Sequence, residues 1–124
     1  MALSRSDLEK KLNLITGELI QEKGYICYVD VFQKLGYLDK TDYEAWRMRK
    51  IPYLEKSIKI NFGKINFILK QVEASSNMGK LKASFTAYKS WGKGSKIDLR
   101  FTKSGSLNLE RVFSTHFVKR HKNA

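Results

Sequence analysis

The stretch IPYLEKSIKINFGKINFILKQVEA, residues 51–74, decides how the rest of the chain is read. Ile51, Leu54, Ile58, Phe62, Ile65, Leu69 and Val72 recur in steps of three and four, which keeps one stripe of a helix facing a core. Pro52 suits the first helical position, where its missing N–H costs nothing. The spacing therefore predicts one long central helix over 51–75, a rod of about 35 Å at 1.5 Å per residue. The opposite face carries Tyr53, Ile60 and Phe67 at every seventh residue, interleaved with Lys56, Lys64 and Lys70. That second apolar row has two readings. It is a cover for another element, or it is an interface for a protein partner or a second copy of the chain.

Working back toward the start, Ser6-Asp7-Leu8-Glu9 has the form of a capping box. Leu8, Leu12, Ile15 and Leu19 follow at helical spacing, and Gly24 is a natural stop. A second short helix is expected from Tyr28 to Leu35, ended by Gly36. Thr41-Asp42-Tyr43-Glu44 opens a third that carries Trp46 toward the break before Pro52. Residues 1–50 thus hold three short helices.

Downstream the period changes. Phe85, Ala87 and Trp91 share a parity, Gly92-Lys93-Gly94-Ser95 is turn material, and Ile97, Leu99 and Phe101 alternate with polar residues. This predicts a basic β-hairpin over 83–103. Leu109, Val112, Phe113, His116 and Phe117 then predict a closing helix over 106–118. The fold class expected is α+β, as one domain of 124 residues.

Charge is the strongest global signal. The chain carries a formal +12, and residues 1–55 hold nine acids against nine bases. From Lys56 onward fifteen bases face Glu73, Asp98 and Glu110 alone, so the whole excess lies in the second half. Such asymmetry points to a polyanion, DNA or RNA. Lys89, Lys93, Lys96, Arg100 and Lys103 are the candidate phosphate contacts, with Lys56, Lys64 and Lys70 as a secondary strip and Trp91 as a stacking residue. The same lysines also serve to discourage edge-to-edge strand pairing. Ser104-Gly105-Ser106 reads equally as an anion cradle or a plain N-cap.

The segment 29–50, helix, glycine turn and helix, resembles helix-turn-helix and winged-helix domains, with the later hairpin in the place of a wing. Asp42 and Glu44 sit at the N-terminal end of its second helix, where phosphates would be repelled, which favours a structural role for the pair. Tyr43-Glu44-Ala45-Trp46-Arg47, Ile51-Pro52-Tyr53-Leu54-Glu55, Leu99-Arg100-Phe101 and Ser114-Thr115-His116 together resemble small uncharacterised bacterial proteins. That resemblance implies one integral bacterial domain and no particular activity.

Catalysis finds little footing. One cysteine and two histidines give no zinc-ligand spacing, and no P-loop, G-x-G-x-x-G or G-x-S-x-G is present. The chain is therefore expected to act without cofactor, metal or catalysis. The best enzymatic alternative is a metal-dependent nuclease built from Asp98, Glu110, Arg100 and His116. A second alternative is a small inhibitor or adaptor that engages an acidic protein partner. Cys27 stands alone, the first residues lack an apolar signal core, and no apolar run reaches membrane-spanning length. A cytoplasmic protein without a membrane partner is the expectation.

Overall fold

Apolar residues from every part of the chain meet in one core, and the elements follow from how each segment delivers them. The computed structural model describes residues 4–119. Helix α1 (Arg5–Lys23) buries Leu8, Leu12, Ile15 and Leu19 on one side. Its cap is Ser4, whose Oγ accepts from Asp7 N–H at 3.1 Å, so the cap lies two residues before the Ser6 that the sequence suggests. Gly24, at φ 79, ends it as expected. Strand β1 (Tyr25–Cys27) follows at once, then α2 (Tyr28–Leu35) with the expected bounds. Helix α3 (Lys40–Arg47) starts just before the Thr41 box, with Asp39 as N-cap.

The long helix is shorter and later than its periodicity suggests. Helix α4 spans Phe62–Met78, capped by the Asn61 side chain, which accepts from Lys64 N–H at 2.9 Å. Residues 51–61 hold only a 3-10 turn at Leu54–Ser57. Their backbone is committed elsewhere. Leu54 and Glu55 N–H donate to the carbonyls of Arg100 and Phe101 at 3.2 and 2.8 Å, and Lys59 N–H donates to Tyr37 at 2.9 Å. Leu54, fully buried, and Ile58 reach the core from this extended path, which explains why the apolar spacing runs on without a helix beneath it. Tyr53, Ile60 and Phe67 therefore share no helical face, and all three are half-buried.

The hairpin is corrected more deeply. Strand β2 (Lys82–Phe85) pairs with the last strand, β3 (Thr115–Val118), in the register Ala83↔Phe117 and Phe85↔Thr115. The three strands form an antiparallel sheet in the order β1-β3-β2. What remains of the 83–103 hairpin is a Lys89↔Asp98 bridge, with Ser90 N–H to Ile97 O at 2.9 Å and Leu99 N–H to Tyr88 O at 2.8 Å. Ile97 is 42% exposed, so of the expected inward row only Phe101 is fully buried. The closing helix shortens to α5 (Leu107–Phe113), because Thr115 and Phe117 alternate inward with half-buried His116 and Val118, a two-residue period that belongs to a strand. The result is an α+β fold that combines, among the described residues, five α-helices with a small three-stranded antiparallel sheet. No helix among the described residues is long and apolar enough to cross a membrane. Of the tail 119–124, whose charged sequence predicts fraying, residues 120–124 with His121 lie outside the described residues.

Candidate nucleic-acid interface

Trp46 anchors the region. It is fully buried against Tyr43, Tyr88 and Phe101, and its Nε1–H donates to Arg100 O at 2.8 Å. This clamps the end of α3 onto the segment that precedes α5. Above it, Trp91 N–H donates to Arg47 O at 2.7 Å, and Arg47 donates back to Lys89 O at 2.6 Å. Arg47 also stacks within 4.7–5.6 Å of the Tyr43, Tyr88 and Trp91 ring centres. The loop 89–96 is thereby held against the C-terminus of α3.

Taken with the Leu54 and Glu55 bonds to Arg100 and Phe101, these contacts tie residue 47 to residue 91 and residues 54–55 to residues 100–101, on either side of the turn that reverses the chain between Ser90 and Ile97. One segment exposes Arg49 and Lys50 and leads into exposed Lys56. The other exposes Lys93 and Lys96 and leads into exposed Lys103, whose N–H donates to Glu55 Oε1 at 3.0 Å. These bonds tie together two cationic stretches that are far apart in sequence.

No salt bridge among the described residues engages these cations, and the Glu55 carboxylate lies among them. Among the described residues, the salt bridges of Lys23, Lys34 and Lys59 consume acids of the first half, Asp30, Glu18, Glu22 and Asp39. Within the second half Lys89 pairs with Asp98. Of the expected contact residues, Lys93, Lys103 and Lys56 carry no carboxylate partner among the described residues, and Lys96 folds its ammonium onto Gly92 O. Arg100 is spent locally: its guanidinium donates to Thr102 O at 2.8 Å and to Lys103 O, and rests over the Tyr53 ring. Lys64 belongs to another neighbourhood, over Tyr37 and beside Arg5. Lys70 is exposed on α4. Trp91, 43% exposed, turns toward a hollow of about 630 Å³ bordered by Asp30, Asp39 and Glu44 together with Lys23 and Lys40, a surface of mixed charge.

Arg49 and Lys50 are the cations that sequence reasoning passed over, since basic residues at a helix C-terminus are accounted for by the dipole. The backbone gives them a second meaning. Arg49 sits at φ 67, with Arg49 N–H to Trp46 O at 3.0 Å and Lys50 N–H to Ala45 O at 2.8 Å. That is a Schellman ending with arginine in the left-handed position glycine normally fills. Gly36 fills the same position after α2 at φ 83, with the same pair of bonds.

The nuclease set is dispersed. Glu110 accepts from Phe101 N–H, Thr102 N–H and Thr102 Oγ1 at 2.8, 2.7 and 2.6 Å. Asp98 holds Lys89. His116 lies between the Tyr25 and Tyr88 rings on β3, with Nδ1 3.2 Å from Ser114 O and so carrying the proton. Among the described residues no three His, Cys, Asp or Glu side chains gather to hold a metal ion. Cys27 is buried, and burial first, then Asp30, pushes its thiol up to about 12, which removes it as a nucleophile near neutral pH. Comparison with protein-family models, curated proteins and solved structures gives no match to this chain.

Proposed function

We propose that this protein binds nucleic acid, without catalysis, by holding phosphates along the strip of Arg49, Lys50, Lys56, Lys93, Lys96 and Lys103. One observation carries the reading: backbone bonds tie 47 to 91 and 54–55 to 100–101, joining segments whose exposed cations have no salt-bridge partner among the described residues. Aligned ammonium and guanidinium groups release condensed counterions when they meet a phosphate chain, which drives binding without reading sequence. Arg49 supports it further. A left-handed arginine costs about 1 kcal/mol or more where glycine costs nothing, and such strain gathers at working surfaces. Trp91 and Arg47 act here as positioning residues that dock the 89–96 loop. Arg100 organises its own turn, and Lys64 and Lys70 add general positive field.

The test is binding of labelled duplex DNA, single-stranded DNA and RNA across a salt series. Micromolar or tighter binding is expected, with log K falling by about 0.7–0.9 per phosphate neutralised for each decade of salt. Absence of binding to all three at low salt overturns the proposal and turns attention to an acidic protein partner for the same strip.

A further inference from the structure

On the face of the sheet that carries Ala83, Phe85, Thr115 and Phe117, helices α4 and α5 stand as two walls of an open trough of about 450 Å³. Its floor is apolar, built from those side chains with Tyr28 and Val112. Each wall contributes polar groups one helical turn apart, Glu73 and Asn77 from α4, Asn108 and Arg111 from α5. None of these four side chains has a hydrogen-bond or ion-pair partner among the described residues. The Arg111 guanidinium lies 4.3 Å from the centre of the Phe85 ring, a stacking contact that fixes the cation at the trough while using none of its N–H donors. An apolar floor with a few convergent polar groups, at this volume, is the ordinary make-up of a small-ligand site.

The geometry points to this trough as the site of an unpaired guanine base of a single-stranded nucleic acid, an inference that rests on the proposed function for the source of the base. Guanine offers two adjacent donors, N1–H and N2–H, beside the acceptors O6 and N7. A carboxylate accepts from the donor pair and a guanidinium donates to the two acceptors, which matches Glu73 and Arg111. Adenine presents an acceptor at N1 where the carboxylate would need a donor. Uracil offers a single N–H between two carbonyls. The trough is also close to the basic strip along the chain. Asn108 of the trough lies five residues after Lys103 of the strip, at most about 18 Å of extended chain. One strand of nucleic acid can lay its phosphates on the strip and turn a base into the trough.

The experiment is fluorescence anisotropy of the full chain with short oligouridylates that carry one central guanine, one central adenine or no purine. The guanine oligomer is expected to bind about tenfold more tightly than the other two, the size of one good bidentate contact. Glu73→Gln and Arg111→Gln should each remove that preference and leave the affinity for plain oligouridylate unchanged. Lys93→Glu/Lys96→Glu should weaken all three alike and keep their ratio. Equal affinity for the three oligomers, or a guanine preference that survives Glu73→Gln, overturns the trough assignment while the proposed function stands. Loss of all oligomer binding overturns the proposed function itself. Titration with guanosine monophosphate then judges the trough alone: binding that Glu73→Gln abolishes makes a free nucleotide the ligand and overturns the single-stranded source, and no binding overturns the site.

Discussion

Arg49 is the residue at which stability and binding pull apart. Its φ of 67 places Cβ against the following carbonyl, a clash glycine lacks. Arg49→Gly should raise stability by about 1 kcal/mol, read as a higher urea midpoint. The same change removes a cation from the strip and should lower nucleic-acid affinity and flatten its salt dependence. A variant that is both more stable and an equally good binder would remove Arg49 from the interface. At this scale glycine was readable, since Gly24 and Gly36 end their helices where the sequence puts them. Arg49 was not, because its identity says nothing of its φ. Nor was Ser4, which takes the cap that Ser6 advertises more loudly.

Among elements, the segments that misled are those whose partner is distant. Residues 51–61 carry helical spacing, yet Leu54 and Glu55 give their N–H groups to Arg100 and Phe101. No local pattern announces a bond across more than forty residues. Strands β1 and β3 are three and four residues long, too short for alternation to stand out from a helical stripe. Helix α5 is tied to this system through Glu110, whose carboxylate receives both N–H groups of Phe101–Thr102 and the Thr102 hydroxyl. Glu110→Gln turns one acceptor into a donor that faces an N–H, and should cost about 2 kcal/mol of stability. Urea unfolding measures it directly. A destabilised Glu110→Gln that still binds nucleic acid at low temperature fits a structural carboxylate, whereas unchanged stability would return Glu110 to the list of catalytic candidates.

Across the molecule, the segregation of charge was legible from composition, and so was the α+β class. The tie between the segments that carry Arg49 and Lys50 and those that carry the 93–103 cations was not, since it depends on the pairing just described. The buried core also sets a pH limit. Burial raises the Cys27 thiol to about 12 and, as the largest cause, raises the Tyr28 and Tyr88 hydroxyls, with Glu73 and Cys27 adding to each in turn. These groups keep their protons in the folded chain at a pH where the unfolded chain has released them. Their contribution is complete below the unfolded values and is lost as pH rises toward the folded ones, by about 1.4 kcal/mol per pH unit for each group. Urea midpoints should hold to about pH 8 and fall from about pH 9 upward. Relief of lysine repulsion acts in the opposite sense but begins nearer pH 10.4. A midpoint that stays level through pH 10 would show that these groups are less enclosed than the core implies.

The measurement that tests the central claim most directly compares salt slopes of nucleic-acid binding for three charge-reversed pairs. Lys50→Glu/Lys56→Glu alters one segment of the strip, Lys93→Glu/Lys96→Glu the other, and Lys10→Glu/Lys11→Glu reverses exposed cations on α1. If 47–55 and 91–101 form one phosphate-binding surface, the first two pairs should weaken binding and flatten the slope to a similar degree, and the α1 pair should leave the slope nearly unchanged. Equal losses from all three pairs would mean that net charge alone attracts the polyanion, and would contradict a built interface.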